Sequence, residues 1–289
     1  MIKFLLISLL CIFPQIITAQ TKLSDWAVEA ESKESKVSLT SDGSIDIIAP
    51  KGLTLWYKRQ MQGNVIIEYD AQIVVEEHNN NTWNRLSDLN CFWQATDPKQ
   101  KDGSVLRGIP KRKGIFANQY ALSLYYMGYG GNYNSTTRFR RYNGNENGVK
   151  DPSFRPAILR EYTDPGHILK PNHWYHIRLE QHFGHVRYII DGECIVDYLD
   201  IRPFYRGFFG FRTTLAHAQI RNFIYSETPV SGTPVSLHWV GRKPNSSASP
   251  QTFGIPFLQG EVLPSQSILL QTDNGKQIPN DSWTLAYWP

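Results

Sequence analysis

Glu68 and Asp70 stand two residues apart in "NVIIEYDAQIVVEE". On a β-strand that spacing points both carboxylates from one face, the arrangement a retaining glycosidase needs for its acid and its nucleophile. A second group of reactive types follows in "YYMGYGGNYNSTTRFRRYNGN", residues 125–145. Tyr126 or Tyr129 offers a phenol for proton transfer, Arg138 or Arg140 a guanidinium for a uronate carboxylate, and His182 or His217 a partner, which together are the parts of a β-elimination. The same residues also read as a binding surface. Forked guanidinium groups at Arg138, Arg140 and Arg212 pair bidentately with carboxylates, and Tyr125, Tyr129 and Trp174 supply flat faces for a pyranose ring. Trp56 and Trp93 are further aromatic candidates, with Trp93 assigned to the core by its place in an apolar alternation two residues beyond Cys91.

The elements that must carry these groups are strands. In residues 64–77, Val65, Ile67, Tyr69, Ala71, Ile73 and Val75 fall on one face, and Ile66, Glu68, Asp70, Gln72 and Val74 on the other. "QYALSLYYMGY", "WYHIRLEQHFG", "HVRYIIDGECIVDYLD", "GFFGFRTT" and "AQIRNFIYS" read likewise, each bounded by Gly, Pro or Asn. Turns at Gly184 and at Asp191-Gly192 make a three-strand meander of residues 173–198. Residues 23–226 contain no ordinary amphipathic helix, so the expected fold is all-β, a two-sheet antiparallel β-sandwich.

The rest of the chain sets its context. Residues 1–19 have one lysine, an apolar run and Ala19 before Gln20, the pattern of a secretory signal peptide, which implies a secreted or periplasmic protein. No later segment is long and apolar enough for a membrane span. Cys91 and Cys194 remain after the leader, as a disulfide or as free thiols. The formal charge of +4 is mild, "PKRKG" at 110–114 is the only dense basic run and reads as a solvated loop, and no nucleic-acid recognition motif is present. No cofactor is expected; Asp88, Asn90 and Asp97 are the oxygen donors from which a structural calcium site would be built. Residues 227–233 have the composition of a linker, and 234–289 carry short strands of a further domain.

Two resemblances sharpen this reading. "GLTLWYK", "RLSDLNCFWQATDP", "YYMGYGGNYNSTTRFRRY", "PNHWYHIRLE" and "GFFGFRTTLAHAQIRNF" resemble a domain of unknown function found in secreted bacterial carbohydrate-active proteins, similar in layout to the concanavalin A-like lectin and glucanase group. That resemblance implies a jelly roll over residues 23–226. Glucanases of this kind carry a third acid where this chain has Gln72, and jelly-roll alginate lyases combine the Tyr, His and Arg types noted above. Residues 234–289, ending "SWTLAYWP", look like the opening of the exo-rhamnogalacturonan lyase-like (YetA-like) proteins, whose first domain is a RIFT-type β-barrel. This implies an incomplete barrel segment, from a truncated member or a split gene product, with the catalytic part outside this chain. The function expected is an accessory module that binds acidic plant-type polysaccharide such as rhamnogalacturonan. The alternative is a jelly-roll lyase or glycoside hydrolase acting through Tyr126, Arg138, Glu68 and Asp70.

Overall fold

The computed structural model describes residues 22–182 and 184–228, and the backbone of three short strands outside them. The strands are β1 (Gln15–Thr18), β2 (Trp26–Ala30), β3 (Lys36–Leu39), β4 (Ile45–Ala49), β5 (Leu53–Tyr57), β6 (Met61–Gln62), β7 (Asn64–Val74), β8 (Leu89–Thr96) and β9 (Ser123–Gly130). They continue as β10 (Thr136–Asn143), β11 (Arg160–Tyr162), β12 (Tyr175–His182), β13 (His185–Ile190), β14 (Glu193–Leu199), β15 (Arg206–Thr213) and β16 (Ala216–Thr228). Two antiparallel sheets result. The first has the order β14-β13-β12-β7-β16-β4-β3, with β1 also on β16, and the second the order β11-β10-β9-β8-β15-β5-β2, with β6 on β15. This is the expected all-β sandwich.

The period-2 pattern explains the first sheet. Ile67, Tyr69, Ala71 and Ile73 of β7 face inward beside Ile177 and Leu179 of β12 and Ala218 and Ile220 of β16, all buried. They meet Phe209, Phe211, Met127 and Cys91 of the second sheet in one core. The meander of β12, β13 and β14 forms as expected, its second turn carrying Asp191 and Gly192 at φ 48° and 84°, the mirror-image turn that suits strand twist.

The second sheet is buried on its inner face and over much of its outer face. Its outer face carries Trp56, Phe92, Tyr126, Tyr142 and Phe208, covered by residues 97–122, whose short helix α1 (Ile109–Arg112) lies over β2 and β5. Apolar character on both faces removes the alternation from β9, whose residues are nearly all buried.

Both described cysteines are free. Cys91 lies in the core, where burial pushes its thiol up to about 12, while Cys194 is exposed on β14. A thiol reagent is therefore expected to label Cys194 in the native protein and Cys91 only after unfolding, as peptide mapping of labelled protein would show. Mapping that found the two cysteines joined would contradict this.

The leader expected at residues 1–19 lies outside the described residues apart from β1. The barrel segment 234–289 also lies outside them, apart from a ribbon of β17 (Leu270–Gln271) and β18 (Gln277–Ile278). Among the described residues no helix is long and apolar enough to cross a membrane.

Candidate functional site

Strand register lays a polar row across the outer face of the second sheet. Glu29 lies opposite Thr54, Thr54 opposite Arg212, Arg212 opposite Asn90, Asn90 opposite Gly128, Gly128 opposite Arg138, and Arg138 opposite Glu161. The next row on the same face is Trp56, Gly210, Phe92, Tyr126 and Arg140.

One half of this face is roofed by residues 97–122. Beneath the roof Glu29, fully buried, accepts from Trp56 Nε1 (2.8 Å), Gln119 Nε2 (2.8 Å), the Gly114 amide (3.2 Å) and Arg112 Nη2 (2.7 Å). Arg212 is also buried, donating to Thr54 Oγ1 and the Gly114 carbonyl at 3.0 Å with its guanidinium over the Phe116 ring. Burial holds its pKa below the usual arginine value, an effect partly offset by Tyr126, Glu29 and Asp88. Two expectations are corrected here. Arg212 is locked under the roof and cannot reach a ligand, and Arg112 turns inward to Glu29 although its neighbours Lys111 and Lys113 are exposed, so "PKRKG" is not wholly a solvated loop.

The other half is not roofed in this way. Asn90, only 2% exposed, donates Nδ2 to Asp88 Oδ1 (3.2 Å) while its own Oδ1 has no partner among the described residues. Beside it Gly128 has no side chain, and the Tyr126 ring leans across that gap, where a methyl group would overlap the phenol oxygen. No hydrogen bond to the Tyr126 hydroxyl occurs among the described residues, although the residue is 8% exposed. Burial and then Asp88 raise its pKa, outweighing Arg212 and Arg140, so the phenol stays protonated and can only donate or weakly accept. Arg138 pairs with Glu161 (2.6 Å), whereas half-buried Arg140 donates to the Pro156 carbonyl (3.1 Å) and has no carboxylate partner among the described residues.

The β9–β10 hairpin tip stands at the end of this open half. Asn132, Tyr133 and Asn134 take φ values of 50°, 60° and 59°, three successive left-handed residues without a glycine among them. Such a backbone costs about 1–3 kcal/mol per residue and persists only where surroundings enforce it. Asn134 does so by clamping Leu169, accepting from its amide (2.8 Å) and donating to its carbonyl (2.9 Å). The tip thereby presents Tyr133, 75% exposed, with the Arg85 guanidinium 4.7 Å above its ring. Arg85 is fixed in turn by Asp88 (2.7 Å) and the Thr214 carbonyl (2.9 Å), so Tyr133, Arg85, Asp88 and Asn90 form a continuous line running into the Gly128 gap.

The remaining candidates lie elsewhere. Glu68 and Asp70 share a face as expected, but it is the outer face of the first sheet, with the whole core between them and Tyr126, Arg138 and Arg140. The constellation of Tyr126, Arg138, Glu68 and Asp70 is therefore split between opposite sides of the sandwich. Glu68 pairs with Arg178, and Asp70 with His176 (2.8 Å), Asn222 (2.7 Å) and Arg221 (3.5 Å). Burial works against the Asp70 charge, but these partners outweigh it and hold the carboxyl below its usual range. Trp174 is half-buried on that side with the Arg221 guanidinium 3.9 Å from its ring, and His217 pairs with Asp46 (2.7 Å) on the same face.

Tyr125 is fully buried, donating to Asp200 Oδ2 (2.7 Å), and is corrected from a ligand-stacking residue to a core residue. Trp56 and Trp93 are likewise enclosed. Tyr129 lies between the sheets, 3% exposed, and cannot offer its ring face to a sugar; its hydroxyl opens into an end pocket. Of the calcium donors, Asp88 and Asn90 meet, but Asp97 faces Arg112 (3.7 Å). Among the described residues no group of three His, Cys, Asp or Glu is placed to hold a metal ion. Tyr133, Arg85, Glu29 and Arg112 escaped the sequence reading. For Tyr133 the signal was its position between two asparagines after Gly130-Gly131, all types that tolerate left-handed backbone.

Comparison with known proteins places this geometry. Residues 47–223 match the family described as domain of unknown function DUF6250, and residues 233–289 match the PcRGLX-like N-terminal RIFT barrel domain. No curated protein matches the chain. Among solved structures, a protein of unknown function with a galectin-like fold from Bacillus subtilis superposes with TM-score 0.52 at 16% identity, covering 75% of this chain and 96% of that one. The carbohydrate-binding module CBM66 from Bacillus subtilis gives 0.45 at 14% identity over 70% and 96% of the two chains. The exoplasmic/lumenal domain of VIP36, in a Ca2+/Man3GlcNAc-bound form, gives 0.48 at 14% identity over 74% and 88%. The galectin-like likeness agrees with the two-sheet architecture, and the match over residues 47–223 spans most of that sandwich: the chain belongs to the DUF6250 family.

Proposed function

We propose that the sandwich is an exported saccharide-binding module that serves the breakdown of acidic plant-type polysaccharide of the rhamnogalacturonan kind, and that the open half of the second sheet is its site. The observation that carries this reading is Arg140. A half-buried guanidinium with no carboxylate partner among the described residues, beside a Tyr126 hydroxyl likewise unpaired among them, is a ready receptor for a uronate carboxylate. Tyr133 with Arg85 behind it forms an exposed platform for the next ring, and the lack of a side chain at Gly128 lets the Tyr126 phenol lie along the sheet toward it. The galectin-like fold and the adjoining RIFT barrel match support an accessory role. Binding rather than catalysis fits the chemistry: Tyr126 holds its proton too tightly for a general base, and the two carboxylates suited to acid-base work stand on the far side.

Affinity electrophoresis of the full chain tests this. Migration is expected to slow in gels containing rhamnogalacturonan and to stay unchanged with neutral dextran, with no unsaturated product absorbing in the ultraviolet. Unretarded migration with rhamnogalacturonan would sink the reading.

Gly128→Ala probes the gap itself. The added methyl displaces the Tyr126 ring, so a loss of about 1–3 kcal/mol in unfolding free energy is expected, together with reduced gel retardation. A variant as stable and as retarded as the parent would show that the gap is not part of the site.

A further inference from the structure

At one end of the sandwich the interior opens between the sheets. Tyr129, near the end of β9 in one sheet, and Tyr175, the first residue of β12 in the other, meet with ring centroids 5.5 Å apart at 63°. They line a pocket of about 110 Å³ together with Ile190, Ile195, Asp191 and Glu193. A mouth between two sheets in which several polar groups converge beside a few isoleucines suits a small hydroxylated ligand.

The polar groups are held in place. Asp191 sits on the tight turn after β13, where Oδ1 accepts the His176 amide (2.8 Å) and Oδ2 faces His173 Nε2 (3.2 Å). His167 is stacked on Tyr162 at 4.0 Å and tied to Asp164 through Nδ1 (2.8 Å), leaving Nε2 3.6 Å from Glu193. The Tyr175 hydroxyl already accepts the Lys170 amide (2.7 Å). Tyr129 differs. It is 97% buried by its 3% exposure, its hydroxyl has no hydrogen-bond partner among the described residues, and it lines the pocket. A hydroxyl that opens to a pocket without a protein partner is free to donate to whatever enters it.

We infer that this pocket is a second saccharide site that takes one uncharged sugar residue, with the Tyr129 hydroxyl donating to a sugar oxygen and the carboxylates of Asp191 and Glu193 accepting from its hydroxyls. The charge balance selects the class. Asp191, Glu193 and nearby Asp164 face Lys170 and two histidines, so a ligand carboxylate meets more acid than base, whereas carboxylates accept well from neutral vicinal hydroxyls. Burial, then Tyr175, Asp191 and Glu193, raise the Tyr129 pKa, which keeps the phenol a donor. Ile190 and Ile195 meet the C–H edge of the sugar.

The inference rests on the reading of the domain as a saccharide binder and assigns it a division of labour. The open sheet face takes the acidic residue of the polymer and the end pocket a neutral one. The Asn134 clamp on Leu169 joins the Tyr133 tip to the loop that carries Ile168 and Lys170 into the pocket wall, so the two sites share a support.

Saturation-transfer NMR on the full chain tests it, with L-rhamnose and D-galactose as uncharged probes and D-galacturonate as the charged one. At least one uncharged sugar is expected to bind saturably and more tightly than galacturonate at this site. Tyr129→Phe keeps the ring and removes only the donor, and it should weaken that binding about tenfold, as should Glu193→Gln at an exposed position that folding does not depend on. Arg140→Ala should leave it unchanged. Absence of saturable binding by either uncharged sugar, or parental binding in both variants, overturns the inference. Its failure is separable from that of the sheet-face reading, because polymer retardation sensitive to Arg140 survives a dead pocket, and neutral-sugar binding sensitive to Tyr129 survives a dead sheet face.

Discussion

Replacing Arg112 with methionine is expected to lower the free energy of unfolding by about 3–5 kcal/mol, because it strands the Glu29 carboxylate in a site with no exposure to water. Among the described residues Glu29 accepts from four, and of these Arg112 alone carries a positive charge, bonding through Nε (3.2 Å) and Nη2 (2.7 Å). The remaining donors are neutral and cannot balance a buried anion. Arg112 also donates to the Val105 carbonyl (2.6 Å), a bond within the roof that is lost with it. Urea denaturation of the two proteins measures the change. Glu29→Gln in the Arg112→Met background should recover part of the loss, since removing both charges leaves no unpaired ion. A single variant within 1 kcal/mol of the parent would show that the pair does not hold the roof, at about the size of an exposed ion pair.

The second large effect is on binding. Tyr133→Ala combined with Arg140→Ala is expected to weaken retention on rhamnogalacturonan about a hundredfold, the sum of a lost stacking surface and a lost charge-assisted pair at roughly 1–2 kcal/mol each. Neither change should disturb the fold. Tyr133 is 75% exposed, and Arg140 donates only to one loop carbonyl. Arg138→Ala should cost less, because Glu161 already occupies that guanidinium and must be displaced before a ligand carboxylate can bind. Isothermal titration with oligosaccharides of the polymer measures all three. A double variant that binds like the parent while Arg138→Ala does not would move the carboxylate receptor to Arg138.

The strands of the first sheet were legible because one face meets water and the other the core. Alternation in β7 assigned Glu68 and Asp70 to a common outer face, and the glycine turns of the meander gave its connectivity. Which side of the molecule that face occupies was not legible, since it depends on pairing of β7 with β16 and β12, residues more than a hundred positions away. In the second sheet the local signal failed for a different reason. With one face in the core and much of the other roofed, adjacent Tyr125 and Tyr126 look alike in the sequence, yet one bonds Asp200 on the inner side and the other faces the Gly128 gap. Arg212 and Arg112 read as surface charges because their burial is decided by Glu29, Thr54 and the Gly114 backbone, partners separated widely along the chain. Arg138 and Arg140 were assigned to one face of β10 by their spacing, and the contrast between Arg138, paired with Glu161, and Arg140, without a carboxylate partner among the described residues, required the structure.

The central claim is that the open face of the second sheet recognises a carboxylate on a sugar chain. It is tested most directly by titrating the full chain with rhamnogalacturonan oligosaccharides before and after chemical reduction of their uronate carboxyls to alcohols. The account predicts that reduction weakens binding about tenfold or more in the parent and has no effect in Arg140→Ala. Equal binding of native and reduced oligosaccharides by the parent protein would contradict it.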